Sequence, residues 1–439
     1  MKSLQKCLIG CCIFCVFLIS GCNGSREAEQ NAYVIAIGID KGENQLLEVT
    51  YQIARPVAVS AIEQGGSSET SGDKEQDGDS KKEWVNITVS GFSVAETRNE
   101  LKSTLALIPI FNHTKFIVLG EELAKDGIGD IIISLIRFQE YRGSMYVAVT
   151  SGSAKNFLNE IRPGLSTFLY QWYELMMQTD SNSGYFPGVS LHQLYRTMKS
   201  EGQDSYITFV APNRRLSSPA MAQAAMEASA STESPNSIEP LEAPHQAGDL
   251  PRSAGNPIEV IGAAVFHGDK LAGILKSDQV RIKELFLRHL ENGFVSVKDP
   301  LVPESPKGIN FRYRAEESPK VTTAVIDGKP SAHIHLVVEC ELTGITSGIH
   351  YEDPTYQKLL EDYLSNLFTR DLLDLIQATQ TMNSDILGIG DYFRPNFATL
   401  PAYKKFHWRE LYKDAAITGE VECKIRRSGL MVQTSPIQK

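Results

Sequence analysis

Residues 356–382 read YQKLLEDYLSNLFTRDLLDLIQATQTM, and this stretch is the strongest indication of the fold in the chain. Its apolar side chains recur at spacings of three and four residues, which is the period of one face of an α-helix. We therefore predict a long helix over 356–382 whose apolar face packs on a sheet. Docking of a partner protein on that face is the less favoured alternative. The face consists of Leu359, Leu360, Tyr363, Leu364, Leu367, Phe368, Leu372, Leu375 and Ile376.

Strand patterns lie on both sides of this helix. Residues 309–317, 321–327 and 331–343 alternate in the manner of half-buried strands, and a Gly-containing turn joins the last two. Residues 416–426 return as a further strand. Antiparallel strands followed by a helix and a returning strand predict an α+β domain over 306–432.

The preceding part of the chain has the same mixed character. Short strand patterns alternate with helical ones from residue 33 onward, and Ser93 with Glu96 forms a capping-box signature at the start of a helix. A chain of 439 residues also exceeds what one hydrophobic core usually supports. We predict an N-terminal α+β domain over 29–200 and a middle α+β domain over 201–305, which gives three mixed domains with antiparallel sheets packed against helices.

Two segments depart from the globular pattern. Residues 63–83 are mostly Gly, Ser, Glu, Asp and Lys, and residues 217–257 are rich in Ala, Ser, Pro and Glu without aromatic side chains. Such compositions bury too little apolar surface to offset the entropy of ordering the chain. We predict that both are disordered insertions within domains.

The N-terminus has the pattern of a bacterial lipoprotein signal. Lys2 and Lys6 precede an apolar run over 7–19, which is shorter than the roughly 20 residues of a membrane-spanning helix. The run ends in Ile-Ser-Gly-Cys22, which reads as a lipobox. We predict a signal peptide over 1–21, lipidation of the Cys22 thiol with fatty acids such as palmitate, and a tether over 22–28. An ordinary secretory signal with an incidental cysteine is the alternative.

Charge and cysteine content narrow the possible partners and chemistry. The formal net charge of −10 disfavours nucleic acid, whose phosphates would repel the protein. Five of the seven cysteines belong to the signal segment or the lipid junction, which leaves Cys340 and Cys423 in strand-like contexts. A disulfide between them and two separate buried thiols both remain open.

A search for catalytic spacing finds little. The chain has no P-loop, no Gly-x-Ser-x-Gly, no His-Glu-x-x-His and no dinucleotide fingerprint. His333 and His335 point to the same side of a strand and could share a cation if a third ligand approached, although cross-strand packing or an exposed polar face explains them equally well. His113 could act as an acid or base, but a hydrogen-bonded loop histidine is favoured. We expect no enzyme activity, no cofactor and no metal.

Several carboxylates beside glycines suggest local structural roles. Asp40, Asp130 and Asp391 end or follow apolar segments, which favours helix caps and turns over catalysis. The tetrapeptide Gly-Ile-Gly-Asp occurs twice, at 127–130 and 388–391. Because no longer similarity surrounds the two copies, we interpret the repeat as coincidence.

Taken in order along the chain, several short segments resemble one known family. After the lipobox come Ile-Ala-Ile-Gly-Ile-Asp at 35–40 and Asn-His-Thr-Lys-Phe-Ile-Val-Leu-Gly-Glu at 112–121. Ile-Gly-Ala-Ala-Val-Phe at 261–266, the segment 385–388 and Trp408 follow in the C-terminal half. Together they resemble the Ger(x)C family of spore germination lipoproteins.

The resemblance implies the C subunit of a nutrient germinant receptor, anchored on the outer face of the spore inner membrane. It also implies contact with the two membrane-embedded receptor subunits, three α+β domains and no known catalytic activity. A lipid-anchored solute-binding protein or hydrolase is the alternative. A solute-binding protein would ordinarily show two βαβ-rich lobes, whereas the strands predicted here form meanders.

Overall fold

The computed structural model describes residues 30–55, 83–164, 168–214, 244–252, 254–302, 308–427 and 429. The predicted signal peptide, Cys22 and the tether lie outside the described residues. So do residues 63–82 of the first predicted disordered segment and 217–243 of the second, so these predictions stay open. The described residues form two sheets with helices packed on them, and the predicted α+β class is confirmed.

The first sheet contains nine strands within the described residues. Their spatial order is β3-β2-β1-β5-β6-β7-β8-β9, and β4 pairs with the start of β1. The strands are β1 (Asn31–Lys41), β2 (Leu47–Ala54), β3 (Trp84–Gly91), β4 (Ile108–Ile110), β5 (Phe116–Gly120), β6 (Tyr146–Thr150), β7 (Tyr206–Pro212), β8 (Ile258–His267) and β9 (Lys270–Leu275).

The centre of this sheet is parallel and its two sides are antiparallel. β1, β5, β6 and β7 run in one direction, whereas β2, β3, β8 and β9 are joined by antiparallel pairing. Parallel neighbours need long crossovers, which helices supply here. The helices of this region are α1 (Val94–Thr104), α2 (Glu121–Asp126), α3 (Gly129–Arg137), α4 (Ala154–Glu160), α5 (Leu169–Gln178), α6 (Asp180–Ser183) and α7 (Leu191–Met198).

Apolar cores cover both faces of the first sheet. Buried side chains of α1, α3 and α7 form one cluster with alternate strand residues such as Ile37 and Val147. Buried side chains of α4 and α5 form a second cluster with Ala36, Val118 and Ala148. Covering on both faces explains why the central strands read as almost continuous apolar runs.

The first sheet crosses the predicted boundary between residues 200 and 201. β7 pairs in parallel with β6, so strands assigned to the predicted N-terminal and middle domains share one sheet. The predicted middle domain also includes a strand, Gly293–Lys298, that pairs in the second sheet. The division into three domains therefore stays a prediction, while the structure shows two sheets.

The predicted disordered insertion over 217–257 is wrong at its C-terminal end. Residues 244–252 and 254–257 lie beside β8, and the buried carboxylate of Glu259 binds groups of this segment. Glu259 accepts from the backbone N–H of Gly248 at 2.7 Å and forms an ion pair with Arg252 at 3.0 Å. A buried carboxylate needs such partners, and they order a segment whose composition alone indicates disorder.

The second sheet has five strands within the described residues, in the order β10-β11-β13-β12, with β14 paired in parallel to β13. The strands are β10 (Gly293–Lys298), β11 (Gly308–Ala315), β12 (Lys320–Ile326), β13 (Lys329–Ile345) and β14 (Ala416–Arg427). The helices of this part are α8 (Ser277–Phe286), α9 (Pro354–Thr381), α10 (Ile389–Phe393), α11 (Leu400–Lys404) and α12 (Trp408–Leu411).

The predicted long helix is confirmed as α9, which begins two residues earlier and ends one residue earlier than predicted. Asp353 caps it by accepting a hydrogen bond from the N–H of Thr355 at 2.9 Å. Its apolar face packs into the core of the second sheet, as predicted, so that face is not free for a partner. None of the helices in the described part of the chain combines the length and apolar character needed to cross a membrane.

Candidate functional site

Loops from the two sheets meet at a buried junction around Asp204 and Asp385. Asp204 lies just before β7 and Asp385 follows α9, and both residues are fully buried. The backbone N–H of Asp204 donates to the carbonyl of Asp385 at 2.8 Å, and the N–H of Asp385 donates to Oδ2 of Asp204 at 3.1 Å. This reciprocal pairing joins loops that are 181 residues apart in the sequence.

The carboxylate of Asp385 is held on one side only. Its Oδ2 accepts from the indole Nε1–H of Trp408 and from the backbone N–H of Gly390, both at 2.8 Å. Within the described residues, Oδ1 is buried without a hydrogen-bond partner. Burial raises the pKa of Asp385 to about 7 and the charge of Asp204 adds to this, while the Gly390, Ile389 and Trp408 donors oppose it.

The carboxylate of Asp204 is balanced by a cation from the other side of the junction. Nε of Arg409 lies 3.5 Å from Oδ1 of Asp204, and Nη2 donates to the carbonyl oxygens of Ser200 at 2.7 Å and Gln203 at 3.1 Å. Arg409 follows Trp408 in the chain, so adjacent residues of α12 contact both aspartates. The junction thereby fixes the loop before β7 against the region that follows α9.

The second Gly-Ile-Gly-Asp segment forms one wall of this junction. Gly388 adopts a left-handed conformation with φ of 71°, which lets the chain turn into α10. Gly390 lies directly under the indole of Trp408, and a Cβ at this position would be 2.2 Å from Cδ1 of that ring. Only glycine therefore fits here without moving the tryptophan.

The first Gly-Ile-Gly-Asp segment makes a corresponding corner at the start of α3. The N–H of Ile128 donates to the carbonyl of Asp269 at 2.9 Å, and the N–H of Gly129 points to Oδ2 of the same residue at 3.4 Å. In both copies, the N–H of the second glycine faces an aspartate carboxylate, which lies 140 residues away in the first copy and five residues away in the second. The helices begin at different positions of the repeat, at Gly129 and at Ile389, so the shared sequence does not produce one common motif.

The turn at Gly268 and Asp269 connects the two corners. The N–H of Gly268 donates to Oδ1 of Asp204 at 3.3 Å. The next residue, Asp269, has its Oδ2 3.4 Å from the N–H of Gly129 at the start of α3. A continuous set of polar contacts therefore runs from α3 through the β8–β9 turn to Asp204 and Asp385. These contacts position the second sheet relative to the first.

The three aspartates that we predict to form caps and turns, Asp40, Asp130 and Asp391, differ from one another in their contacts. Asp40, at the end of β1, accepts from the N–H groups of Ala154 at 2.7 Å and Lys155 at 2.9 Å, and from Oγ of Ser153 at 2.9 Å. It therefore caps α4 from a neighbouring strand. Asp130 and Asp391 lie inside the first turns of α3 and α10, where a carboxylate interacts favourably with the helix dipole.

The histidine candidates do not assemble into a metal or catalytic site. Nε2 of His333 and Nε2 of His335 lie 3.8 and 3.9 Å from Oε1 of Glu420, on a largely exposed strand surface. His113 is exposed and packs edge-to-face on Tyr33, with ring centroids 5.4 Å apart. Throughout the described ranges, no three or more His, Cys, Asp or Glu side chains are grouped to hold a metal ion.

Cys340 and Cys423 are buried free thiols on the neighbouring strands β13 and β14. The strand register pairs Cys340 with Ile425 and Val338 with Cys423, so the two cysteines are offset by two positions. Burial raises the pKa of the Cys423 thiol well above its ordinary value, which suppresses the reactive thiolate. In this structure they act as small core residues.

The junction is thus a buried polar contact between loops of the two sheets. In the sequence, residues 385–388 and Trp408 stand out only as part of the family resemblance, and the structure brings Asp385 and Trp408 into contact. Their partners Asp204, Gly390 and Arg409 carry no such signal in the sequence. A buried polar contact between distant loops has no periodicity, so no local pattern could have indicated it.

Two family models match the chain and together span most of it. The model described as "Spore germination protein N-terminal domain" matches residues 24–212. The model described as "Spore germination B3/GerAC like, C-terminal" matches residues 261–429. The first match includes Asp204 and the second includes Asp385, Trp408 and Arg409, so the junction joins the two matched regions.

Two relatives in Bacillus subtilis (strain 168) are similar over almost the whole chain, and a third over about a third of it. The chain is 20% identical to "Putative spore germination protein YfkR" over 436 residues, which cover 99% of each chain. It is 21% identical to "Spore germination protein KC" over 444 residues, covering 99% of this chain and 98% of that one. Similarity to "Spore germination protein A3" is 33% over 160 residues, covering 35% and 38%.

A solved structure titled "Crystal Structure of the GerBC protein" is also similar to this chain. Its TM-score is 0.49 and its sequence identity 16%, over 89% of this chain and 96% of that chain.

Proposed function

This chain belongs to the Ger(x)C family of spore germination proteins, and on that premise we propose that it is the lipid-anchored C subunit of a nutrient germinant receptor. The observation that carries the proposal is the pair of family matches, which together extend over most of the chain. In this proposal the protein works through contacts with the two membrane-embedded receptor subunits, without catalysis.

The proposed anchor is the thiol of Cys22. Support comes from the basic start at Lys2 and Lys6, the short apolar run and the Ser-Gly-Cys junction. Two acyl chains on a mature N-terminal cysteine hold a protein stably on a bilayer, since each buried methylene contributes about 0.8 kcal/mol. The protein then faces the outside of the spore inner membrane.

Germination of spores tests the proposal. Spores that carry Cys22→Ala in place of the wild-type chain should lose the protein from the inner membrane fraction and respond more slowly to the nutrient. The matched control is Cys15→Ala, which removes a cysteine from the apolar run but leaves the junction intact. Normal germination and membrane recovery of Cys22→Ala would contradict the proposal.

Thermal unfolding with added nutrients distinguishes a role in protein contacts from direct solute binding. A ligand that binds only the folded state raises the unfolding temperature in proportion to the logarithm of its concentration over Kd. We expect no such shift when the purified protein is heated with amino acids, sugars or nucleosides. A saturable, concentration-dependent shift with one of them would favour direct solute binding instead.

A further inference from the structure

We propose that β3 is the contact between two copies of this chain, which pair their β3 strands in antiparallel fashion and join their first sheets edge to edge. β3 (Trp84–Gly91) is the terminal strand on one side of the first sheet. The inference goes beyond the proposed receptor role and depends neither on the lipid anchor nor on the nutrient. It rests on how this edge differs from the other strand edges of the fold.

The free edge of a sheet presents unpaired backbone N–H and C=O groups that can bind a strand of another chain. Folded proteins protect such edges with short strands, with charged residues or proline, with a bulge, or with a covering helix or loop. An edge strand that lacks all of these features is therefore suited to pairing with another strand.

The other edge strands of the first sheet are protected. On the side opposite β3, β9 begins with Lys270 and is bulged where it pairs with Val265 and Phe266 of β8. Helix α2 packs on β9. β4, which pairs with the start of β1, is three residues long and contains Pro109. Both strands are thus poorly suited to the addition of a further strand.

The outer edge of β14 in the second sheet is closed by helix α9. Three alternate N–H groups of β14 donate to side chains of this helix, each at 2.9 Å. The donors are Val421, Cys423 and Ile425, and the acceptors are Thr369, Ser365 and Glu361. These backbone groups are therefore not free to bind another strand.

The edge strands β10 and β12 of the second sheet carry charge or a covering group. Lys298 ends β10 and Lys320 begins β12. Arg281 donates to the carbonyl of Phe294 on β10 at 2.8 Å. Helix α10 packs on β12. Each of these edges thus has at least one feature that disfavours pairing with another chain.

β3 has none of these features among the described residues. Its eight residues, WVNITVSG, include no charged residue and no proline. They pair with β2 one for one from Trp84 to Gly91, without a bulge. Throughout the described ranges, the β3 backbone has hydrogen-bond partners on β2 only. The outer backbone groups of this long, regular and uncharged strand are therefore positioned to bind another strand.

The order of side chains along β3 favours a second copy of the same strand as the partner. Antiparallel pairing centred on Ile87 places Ile87 opposite its own copy, Val85 opposite Val89, and Asn86 opposite Thr88. Paired residues of an antiparallel sheet lie on the same face. β-branched apolar side chains then meet on one face and hydrogen-bonding side chains on the other. The strand is thus complementary to itself about a two-fold axis.

The same pairing continues the apolar core of each copy into that of the other. Val85, Ile87 and Val89 are half-buried and pack against the cluster that lies under α1, α3 and α7. On the opposite face, Nδ2 of Asn86 donates to the carbonyl of Leu158 at 2.9 Å. Pairing removes the remaining apolar surface of β3 from water, which favours association. Because β3 carries no charge, the net charge of −10 on each chain is not concentrated at the contact.

Sedimentation equilibrium of the full-length protein in a density-matched mild detergent tests the self-association. A single strand pair makes a small interface, so association should depend on concentration. We expect the average protein mass to rise about two-fold, from one chain to two, as the concentration is raised. A mass of one chain at every concentration up to the solubility limit would overturn the inference.

Hydrogen exchange of the wild-type chain locates the contact without any substitution. We expect peptides from 84–91 to exchange about ten-fold more slowly at the highest concentration than at the lowest, because their outer N–H groups become hydrogen-bonded. Peptides from 320–326 in β12 should not change. Concentration-dependent protection that lies elsewhere contradicts the inference. So does a single chain already protected at 84–91, since its own residues would then cover the edge.

A different partner is distinguished in the same experiment. A chain that stays single, and gains protection at 84–91 only when solubilised spore inner membrane is added, would use this edge for another protein. That result would overturn the pairing of two copies.

A matched pair of variants tests the edge itself. Thr88→Lys places a charge in the middle of β3 and should return the mass to that of one chain. Thr322→Lys makes the same change at an exposed position of β12 and should leave the two-chain species intact. Circular dichroism and thermal unfolding show whether each variant is folded. Folded Thr88→Lys protein that still forms the two-chain species would overturn the inference, and if this variant unfolds, the exchange of the wild-type chain decides.

Discussion

The two Gly-Ile-Gly-Asp corners have the same sequence but different surroundings. At 388–391, the second glycine donates to the fully buried Asp385 at 2.8 Å and is covered by Trp408. At 127–130, the second glycine points to the half-buried Asp269 at 3.4 Å. The tetrapeptide therefore lies at the start of a helix in both places, while the residues packed against it decide how much of the stability of the fold depends on it.

The largest expected effect is that of Gly390→Ala. The new Cβ would lie 2.2 Å from Cδ1 of Trp408, whose indole is itself fixed by Asp385, so the ring must move and its hydrogen bond is lost. Overpacking combined with a broken buried hydrogen bond should lower the free energy of unfolding by about 3 kcal/mol or more. Urea denaturation measures this, and a loss below about 1 kcal/mol would contradict the described junction.

A pH series with Asp385→Asn tests the same junction through its charge, and its effect should be of comparable size. The folded pKa of Asp385 is raised from its ordinary 3.8 to about 7, so the folded protein binds more protons than the unfolded chain between these values. The stabilisation of the fold by protonated Asp385 is present in full below about pH 4, and it is lost as the pH rises to 7. The total change is on the order of 4 kcal/mol.

The variant isolates this contribution because an amide does not titrate. Relative to Asp385→Asn, wild-type protein should be most stable at the acid end and lose that advantage towards pH 7. Urea midpoints of both proteins across this range, with reversibility checked at each pH, give the comparison. A difference that stays constant with pH would show that Asp385 does not titrate as its burial implies.

The smallest effect is expected for Gly129→Ala at the other corner. Its new Cβ would lie 3.0 Å from Oδ2 of Asp269, the end of a side chain that can move. Alanine also favours helix over glycine by about 1 kcal/mol, and Gly129 is the first residue of α3. The free energy of unfolding should change by less than about 1 kcal/mol, and a loss equal to that of Gly390→Ala would make the two corners equivalent.

Local patterns predicted the individual elements well. The alternation in 331–343 lies within β13, and the three-four spacing in 356–382 identified α9 within two residues at each end. These elements are specified by their own side chains, because one face of each is buried along its whole length. The capping signature at Ser93 is also present, since its Oγ accepts from the N–H of Glu96.

Long-range pairings were not visible in the sequence. The parallel pairing of β6 with β7 carries the first sheet past residue 200, and parallel neighbours joined by helices leave no turn signature. The contact of Asp204 with Asp385 and the ordering of 244–257 by Glu259 likewise depend on single buried carboxylates. Composition cannot reveal such partners, because the groups that donate hydrogen bonds to each carboxylate come near it only when the chain is folded.

We propose that a lipid on Cys22 holds this spore germination protein on the membrane, and mass spectrometry of the mature N-terminal peptide is the direct test. We expect a peptide that begins at Cys22 and carries a diacylglyceryl group with its fatty acids. A mature chain that begins at another residue, or a Cys22 with an unmodified thiol, would contradict it.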